Sequence, residues 1–131
     1  MTTWQKIVKN SITCAEQLKG FPGVQIDEMD KVCRRYPMRV NPYYLNLIKK
    51  AGDPLWLQAM PDIQEMEDET GMEDPLDEEN LSPVPNLVHK YPDRVLFLVS
   101  SQCAMYCRFC TRKRKMGRPE MVIDDSTIGA G

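Results

Sequence analysis

Three of the five cysteines, Cys103, Cys107 and Cys110, fall inside eight residues in the run SQCAMYCRFCTRKRK. Thiolates at a CxxxCxxC spacing can wrap one loop around an iron-sulfur cube and bind three of its irons, leaving the fourth without a protein ligand. An open coordination position distinguishes a site that reacts from a closed structural one. The spacing therefore suggests a cluster whose vacant iron takes a small molecule. A zinc knot is the other reading, with Cys107 and Cys110 as a pair, Cys103 as third ligand and His89 or Cys33 as fourth. The chain has neither a second CxxC nor an HxxxH pair to make that module.

The loop that carries the cysteines is basic. Arg108 to Arg118 holds six basic residues and no acidic one, whereas Asp62 to Glu79 holds ten acidic residues and no basic one, so the net charge of −2 hides two opposite patches. The acidic run, with Pro61, Gly71 and Pro75 around it, reads as a solvated linker. Arg108, Lys113, Arg114 and Lys115 read as a solvated loop face. RKRK beside Tyr106 and Phe109 is too short a basic run, in an acidic protein, to indicate a nucleic-acid partner. The longest apolar run, Val95 to Val99, is far short of a membrane span, and MTTWQKIVKN lacks a signal-peptide core, so a cytoplasmic protein is expected. In that compartment thiols stay reduced, and an odd count favours metal or catalytic chemistry over disulfides. Cys14 and Cys33 read as ordinary buried thiols on helix faces.

The elements that must position the loop come in three segments: a helical region over 1–61, an acidic linker and proline-rich arm over 62–93, and a strand with the cysteine loop over 94–131. In the first, Thr13 can cap CAEQLK with Gly20 as its stop, and Asp27 can cap EMDKVCRRY ahead of Pro37. Asn41 caps a helix with Pro42 in its first turn, Tyr44, Leu47, Ile48 and Ala51 on one face, and Gly52 closing it. Asp53 and Pro54 repeat that start ahead of LWLQAM. The three prolines of LSPVPNLVHKYPDR predict an extended arm without regular structure. VLFLVS, apolar without alternation, predicts a parallel strand buried on both faces, with the cysteines at its carboxyl end where α/β barrels build their sites. Asp124, Asp125 or Ser126 can cap a helix after the loop. One strand makes no parallel sheet, so a fragment, or a sheet completed by a partner, is expected.

CAMYCRFC, with an aromatic residue before the last cysteine, has the form seen in radical S-adenosylmethionine enzymes. DPLDEENLSPVPNLVHKYPDRVLFLVSSQCAMYCRFCTRKRKMG resembles the lysine 2,3-aminomutase family along its whole length. WQKIVKNSIT, VNPYYLNLI and DPLWLQAMPDIQE are similar to the helical region before the barrel in those enzymes. The resemblance implies an α/β fold in which that helical region leads into the first strand and cluster loop of a partial, truncated TIM-type (β/α) barrel. It implies a [4Fe-4S] cluster on Cys103, Cys107 and Cys110, with S-adenosylmethionine on the open iron, cleaved by one electron to a 5'-deoxyadenosyl radical. It places Phe109 near the adenosyl group and Lys90, Tyr91 and Arg94 at the phosphate of pyridoxal phosphate. Arg112 would pair with the substrate carboxylate, a task suited to a planar two-pronged donor. Lys90 stands where the family commonly has arginine, which keeps the charge and loses the fork. The implied partners are an amino acid substrate, a one-electron reductant such as flavodoxin or ferredoxin, and, for a complete enzyme, further copies of itself. The family's Schiff-base lysine and its glycine-rich strand end lie beyond residue 131, so no turnover is expected of these residues alone. A small non-catalytic iron-sulfur or zinc protein, and a radical enzyme that binds no pyridoxal phosphate, stand as the rival readings.

Overall fold

The computed structural model describes residues 2–129; Met1, Ala130 and Gly131, at the outer ends of the 1–61 and 94–131 segments, lie outside the described residues. Short helices dominate the first sixty residues, and their starts follow the local chemistry. Asn41 accepts a hydrogen bond from the Tyr44 N–H at 2.9 Å to open α3 (Pro42–Leu45), and Asp53 accepts from the Trp56 N–H at 2.8 Å to open α4 (Pro54–Ala59). Gly52, expected to close that first helix, instead has φ +79° in the turn ahead of α4, since α3 ends at Leu45. The helix after Pro42 is shorter than its apolar spacing suggests, and Leu47 is left 43% exposed while Ile48 is buried. Asn41→Ala is expected to lower stability by about 1 kcal/mol, the usual worth of such a cap, read as a reduced urea midpoint with an unchanged slope.

Three local expectations shift. α1 (Thr3–Lys9) falls in the expected helical region, over WQKIVK, at a start for which no cap was assigned; Gln5 accepts the Thr2 N–H at 2.8 Å there. The helix expected after Thr13 shrinks to one 3₁₀ turn, Ala15–Leu18, because Gln17 folds back to accept the N–H groups of both Thr13 and Cys14. α2 (Ile26–Arg35) begins before Asp27, which places Asp27 and Glu28 in its first turn, where acidic side chains complement the helix dipole. Cys14 is exposed rather than buried; Cys33, half-buried on α2, has its thiol pushed up to about 11, chiefly by desolvation.

These short elements hold together through one apolar core. Ala15, Leu18, Met29, Met38, Val40, Ile48, Trp56, Ala59 and Met60 form it, and Phe21 packs on Trp56 with ring centroids 5.8 Å apart. Ile12 and Val40 exchange backbone hydrogen bonds at 2.8 and 2.9 Å, which ties the start of the chain to the stretch before α3. None of the helices is long enough to stand alone in water, so this burial is what makes them helical.

The arm and strand differ from expectation. Part of the proline-rich arm is β1 (Leu87–Tyr91), which pairs antiparallel with β2 (Arg94–Phe97) in register Leu87↔Phe97 and Val88↔Leu96. Pro92 and Asp93 supply the turn, and the remaining prolines lie outside the paired residues, so they remove no ladder hydrogen bond. β2 is therefore neither parallel nor buried: Val95 is 51% exposed and Leu96 41%. A hairpin is the pairing available between neighbours in sequence, whereas a parallel strand needs a long crossover before its partner. Among the described residues the only sheet is this two-stranded one, so the fold is α/β without the expected barrel. The helix after the loop, α6 (Asp125–Gly129), is present, and Asp124 accepts the Ser126 hydroxyl at 2.7 Å and the Thr127 N–H at 2.9 Å, which hold its carboxyl down to about 2. Among the described residues no helix is long and apolar enough to cross a membrane.

Candidate functional site

The helical core presents backbone carbonyls to the cysteine loop. Tyr106 N–H donates to Arg39 O and Arg108 N–H to Gln58 O, both at 2.9 Å. Tyr106 itself is buried, with the Arg39 guanidinium 5.4 Å from its ring centroid and its hydroxyl donating to Gln102 Oε1 at 3.1 Å. Held this way, the loop brings Cys103, Cys107 and Cys110 onto one cleft of about 70 Å³, which Met105 and Met116 also line. Cys103 Sγ lies 3.8 Å from Met116 Sδ, and the Arg112 N–H donates to Cys110 Sγ at 3.4 Å. Burial raises the Cys107 thiol above its ordinary range, and Cys110 and Cys103 push the same way, because neighbouring thiolates oppose a further negative charge. A bound cation reverses that balance. Three soft thiols on one cleft, with an amide N–H on one sulfur and cations around them, are a donor set that fits an iron-sulfur cluster.

Among the described residues the zinc alternative finds no fourth ligand at the cleft. His89 lies exposed in β1 and Cys33 on α2, and neither lines the cleft with the three cysteines. Among the described residues no three His, Cys, Asp or Glu side chains converge closely enough for a single ion. Phe109, expected near an adenosyl group, is 69% exposed on the loop.

The acidic run is the largest departure from the sequence reading. It carries α5 (Gln64–Glu67) and folds back on the loop as its counter-charge. Arg108 donates to Glu65 from Nε at 2.9 Å and from Nη2 at 2.7 Å, with both side chains largely buried. Lys113 Nζ donates to the same carboxylate. Arg112 takes Glu78, itself 2% exposed, through Nε and Nη2 at 2.9 and 2.6 Å. Arg114 pairs with Asp74 at 2.8 Å and Lys115 with Glu79 at 2.9 Å. The four cations read as a solvated face are thus seated in ion pairs. Spacing in sequence carries no signal for this; the one available clue was that two runs of opposite sign had no other partner.

A second cavity, of about 290 Å³, is lined by Lys90, Tyr91, Arg94 and Arg112 together with Glu78 and apolar residues of the hairpin. The four residues that the resemblance assigned to cofactor phosphate and substrate carboxylate therefore share one hollow, although they lie up to twenty-two positions apart (112 − 90). The β1–β2 turn presents Lys90, Tyr91 and Arg94, with the Arg94 guanidinium 4.8 Å from the Tyr91 ring centroid. Arg112 reaches it from the cysteine loop, one edge of its fork already on Glu78; among the described residues Nη1 has no hydrogen-bond partner.

Comparison with known proteins agrees over nearly all of the chain. It is 41% identical over 133 aligned residues to the L-lysine 2,3-aminomutase of Acetoanaerobium sticklandii, covering 97% of this chain and 32% of that protein. It is 44% identical over 121 residues to the L-lysine 2,3-aminomutase of Fusobacterium nucleatum, covering 88% of this chain and 28% of the relative. The glutamate 2,3-aminomutase of Clostridioides difficile is 34% identical over 122 residues, with 89% and 28% covered. The chain thus spans about a third of the length of the curated relatives it matches. No protein-family model matches it.

Proposed function

The chain belongs to the lysine 2,3-aminomutase family, as a partial, N-terminal region of it, and from that premise we propose that it supplies the cluster loop and part of the cofactor pocket of a radical S-adenosylmethionine amino acid 2,3-aminomutase. The carrying observation is that Cys103, Cys107 and Cys110 line one cleft, with Phe109 exposed on the same loop. When bound there, a [4Fe-4S] cluster supplies the electron that generates a radical from S-adenosylmethionine, the start of a 1,2-amino migration in an isomerase.

The chain's own residues would bind and orient. Lys90, Tyr91 and Arg94 would hold the phosphate of pyridoxal phosphate, a dianion that the exposed cations of the β1–β2 turn attract. Arg112, its plane fixed by Glu78, would offer the free end of its fork to the carboxylate of an amino acid substrate, lysine or a related one. The reading carries with it a one-electron reductant of the flavodoxin or ferredoxin type and a cytoplasmic location. It also keeps the expectation that residues 1–131 by themselves do not turn over an amino acid, since no lysine here matches the family's Schiff-base position.

Anaerobic reconstitution with iron and sulfide, followed by low-temperature electron paramagnetic resonance, tests this. About four irons per chain and a reduced-state signal that changes on adding S-adenosylmethionine are expected, with both lost in Cys107→Ser. A folded, colourless chain holding one zinc would sink the reading and return the cysteines to a structural role.

A further inference from the structure

Arg108 stands between the second and third cysteines of the loop and Lys113 three residues after the third, and both end on one carboxylate. Glu65 is 43 positions before Arg108 in the chain. The Arg108 guanidinium also donates to Pro37 O at 3.1 Å and Tyr36 O at 3.4 Å, so it joins the end of α2, the acidic segment and the loop. Lys113 lies 4.1 Å from the centroid of the Tyr36 ring, which confines it on the same side. Arg108, 7% exposed, has no room to swing toward solvent, and its position fixes the backbone between Cys107 and Cys110. Charge acts alongside shape. Two cations close to a cluster held by three thiolates would favour its reduced, more negative state; one carboxylate between them cancels half of that bias.

We propose that Glu65 is a positioning residue of the cysteine loop: by tying Arg108 and Lys113 on either side of Cys110, it sets the shape of the loop and the positive charge that a bound cluster feels. The inference rests on the cluster reading given above.

The test uses the full chain, reconstituted anaerobically, as wild type, Glu65→Gln and Glu65→Asp. Glu65→Gln is expected to take up the cluster, to lose it to an iron chelator about tenfold faster, as second-layer substitutions typically do, and to show a more positive reduction midpoint. Glu65→Asp, which keeps the charge, should leave the midpoint near the wild-type value even where chelation quickens, a split that general loosening would not produce. Equal chelation rates and midpoints in wild type and Glu65→Gln would overturn the proposal. If the wild type takes up no cluster, the cluster reading falls separately. The tie is then read in the metal-free chain, where Glu65→Gln should speed alkylation of Cys107 and Cys110 by iodoacetamide, with far-UV circular dichroism unchanged; unaltered alkylation would overturn it there too.

Discussion

Gly117→Ala is expected to destabilise the chain by about 3 kcal/mol, the sum of a backbone and a packing term. Gly117 has φ +72°, a conformation that costs an L-residue about 1–2 kcal/mol. A methyl group there would also lie 2.3 Å from Tyr106 Cε2 and 2.7 Å from Cζ, inside any tolerable contact. The ring cannot simply retreat. Tyr106 is buried, its N–H is bound to Arg39 O and its hydroxyl to Gln102, so moving it pulls on the loop between Cys103 and Cys107. Gly20 provides the control: its φ is +93°, but a methyl group would meet nothing within 4 Å. Gly20→Ala should therefore show the backbone term alone, about 1–2 kcal/mol. Urea unfolding of the two variants separates the terms, and equal losses would mean that Tyr106 is not held as described. Because the Gly117 N–H also donates to Ser101 O at 3.1 Å, the same substitution should disturb both ends of the cysteine loop and slow cluster uptake.

Arg108→Met carries the second large effect, about 3–5 kcal/mol, the usual loss when one partner of a buried ion pair is removed. Burial alone would raise the Glu65 carboxyl, and the hydrogen bonds from Arg108 and Lys113 more than offset it, so the group lies below its ordinary range. Lys113 is not the main support, since desolvation pulls its own ammonium below the usual lysine value despite Glu65. The pH dependence follows from that sign. A carboxyl whose folded value is depressed contributes stability in full above its unfolded value, about 4.3, and loses it as pH falls through the folded value. In Arg108→Met the largely buried carboxyl is left without its fork. The loss should be largest near neutral pH and shrink in acid, once the pH has fallen through the depressed folded value and Glu65 is protonated in both proteins. Chemical unfolding at the two pH values reads this directly, and a loss independent of pH would show that the carbonyls of Tyr36 and Pro37, not Glu65, are what Arg108 serves.

Both effects arise at residues that the sequence treats as unremarkable. Gly117 follows a basic run and reads as loop punctuation, while Arg108 reads as one of several solvated cations. What distinguishes them is contact with residues far along the chain: Gly117 with a tyrosine eleven positions before it (117 − 106), and Arg108 with a glutamate 43 positions before it. The strand shows the same limit from the other side. An unbroken apolar run identifies β2 as a strand, but pairing direction and burial depend on what lies beside it, and here that is the adjacent β1.

Taken by itself, the sequence determined the features that depend on a few consecutive residues. The CxxxCxxC spacing, the caps at Asn41 and Asp53 and the family resemblance were all legible, because ligand spacing and capping are short-range chemistry. Only the tertiary structure decided that the acidic run clamps the cysteine loop rather than floating in solvent, and that Lys90, Tyr91, Arg94 and Arg112 share one cavity. The physical reason is that a charge run carries no address. Its partner is set by which oppositely charged groups the folded core brings within hydrogen-bond reach, and that core is assembled from residues as far apart as Ala15 and Met60.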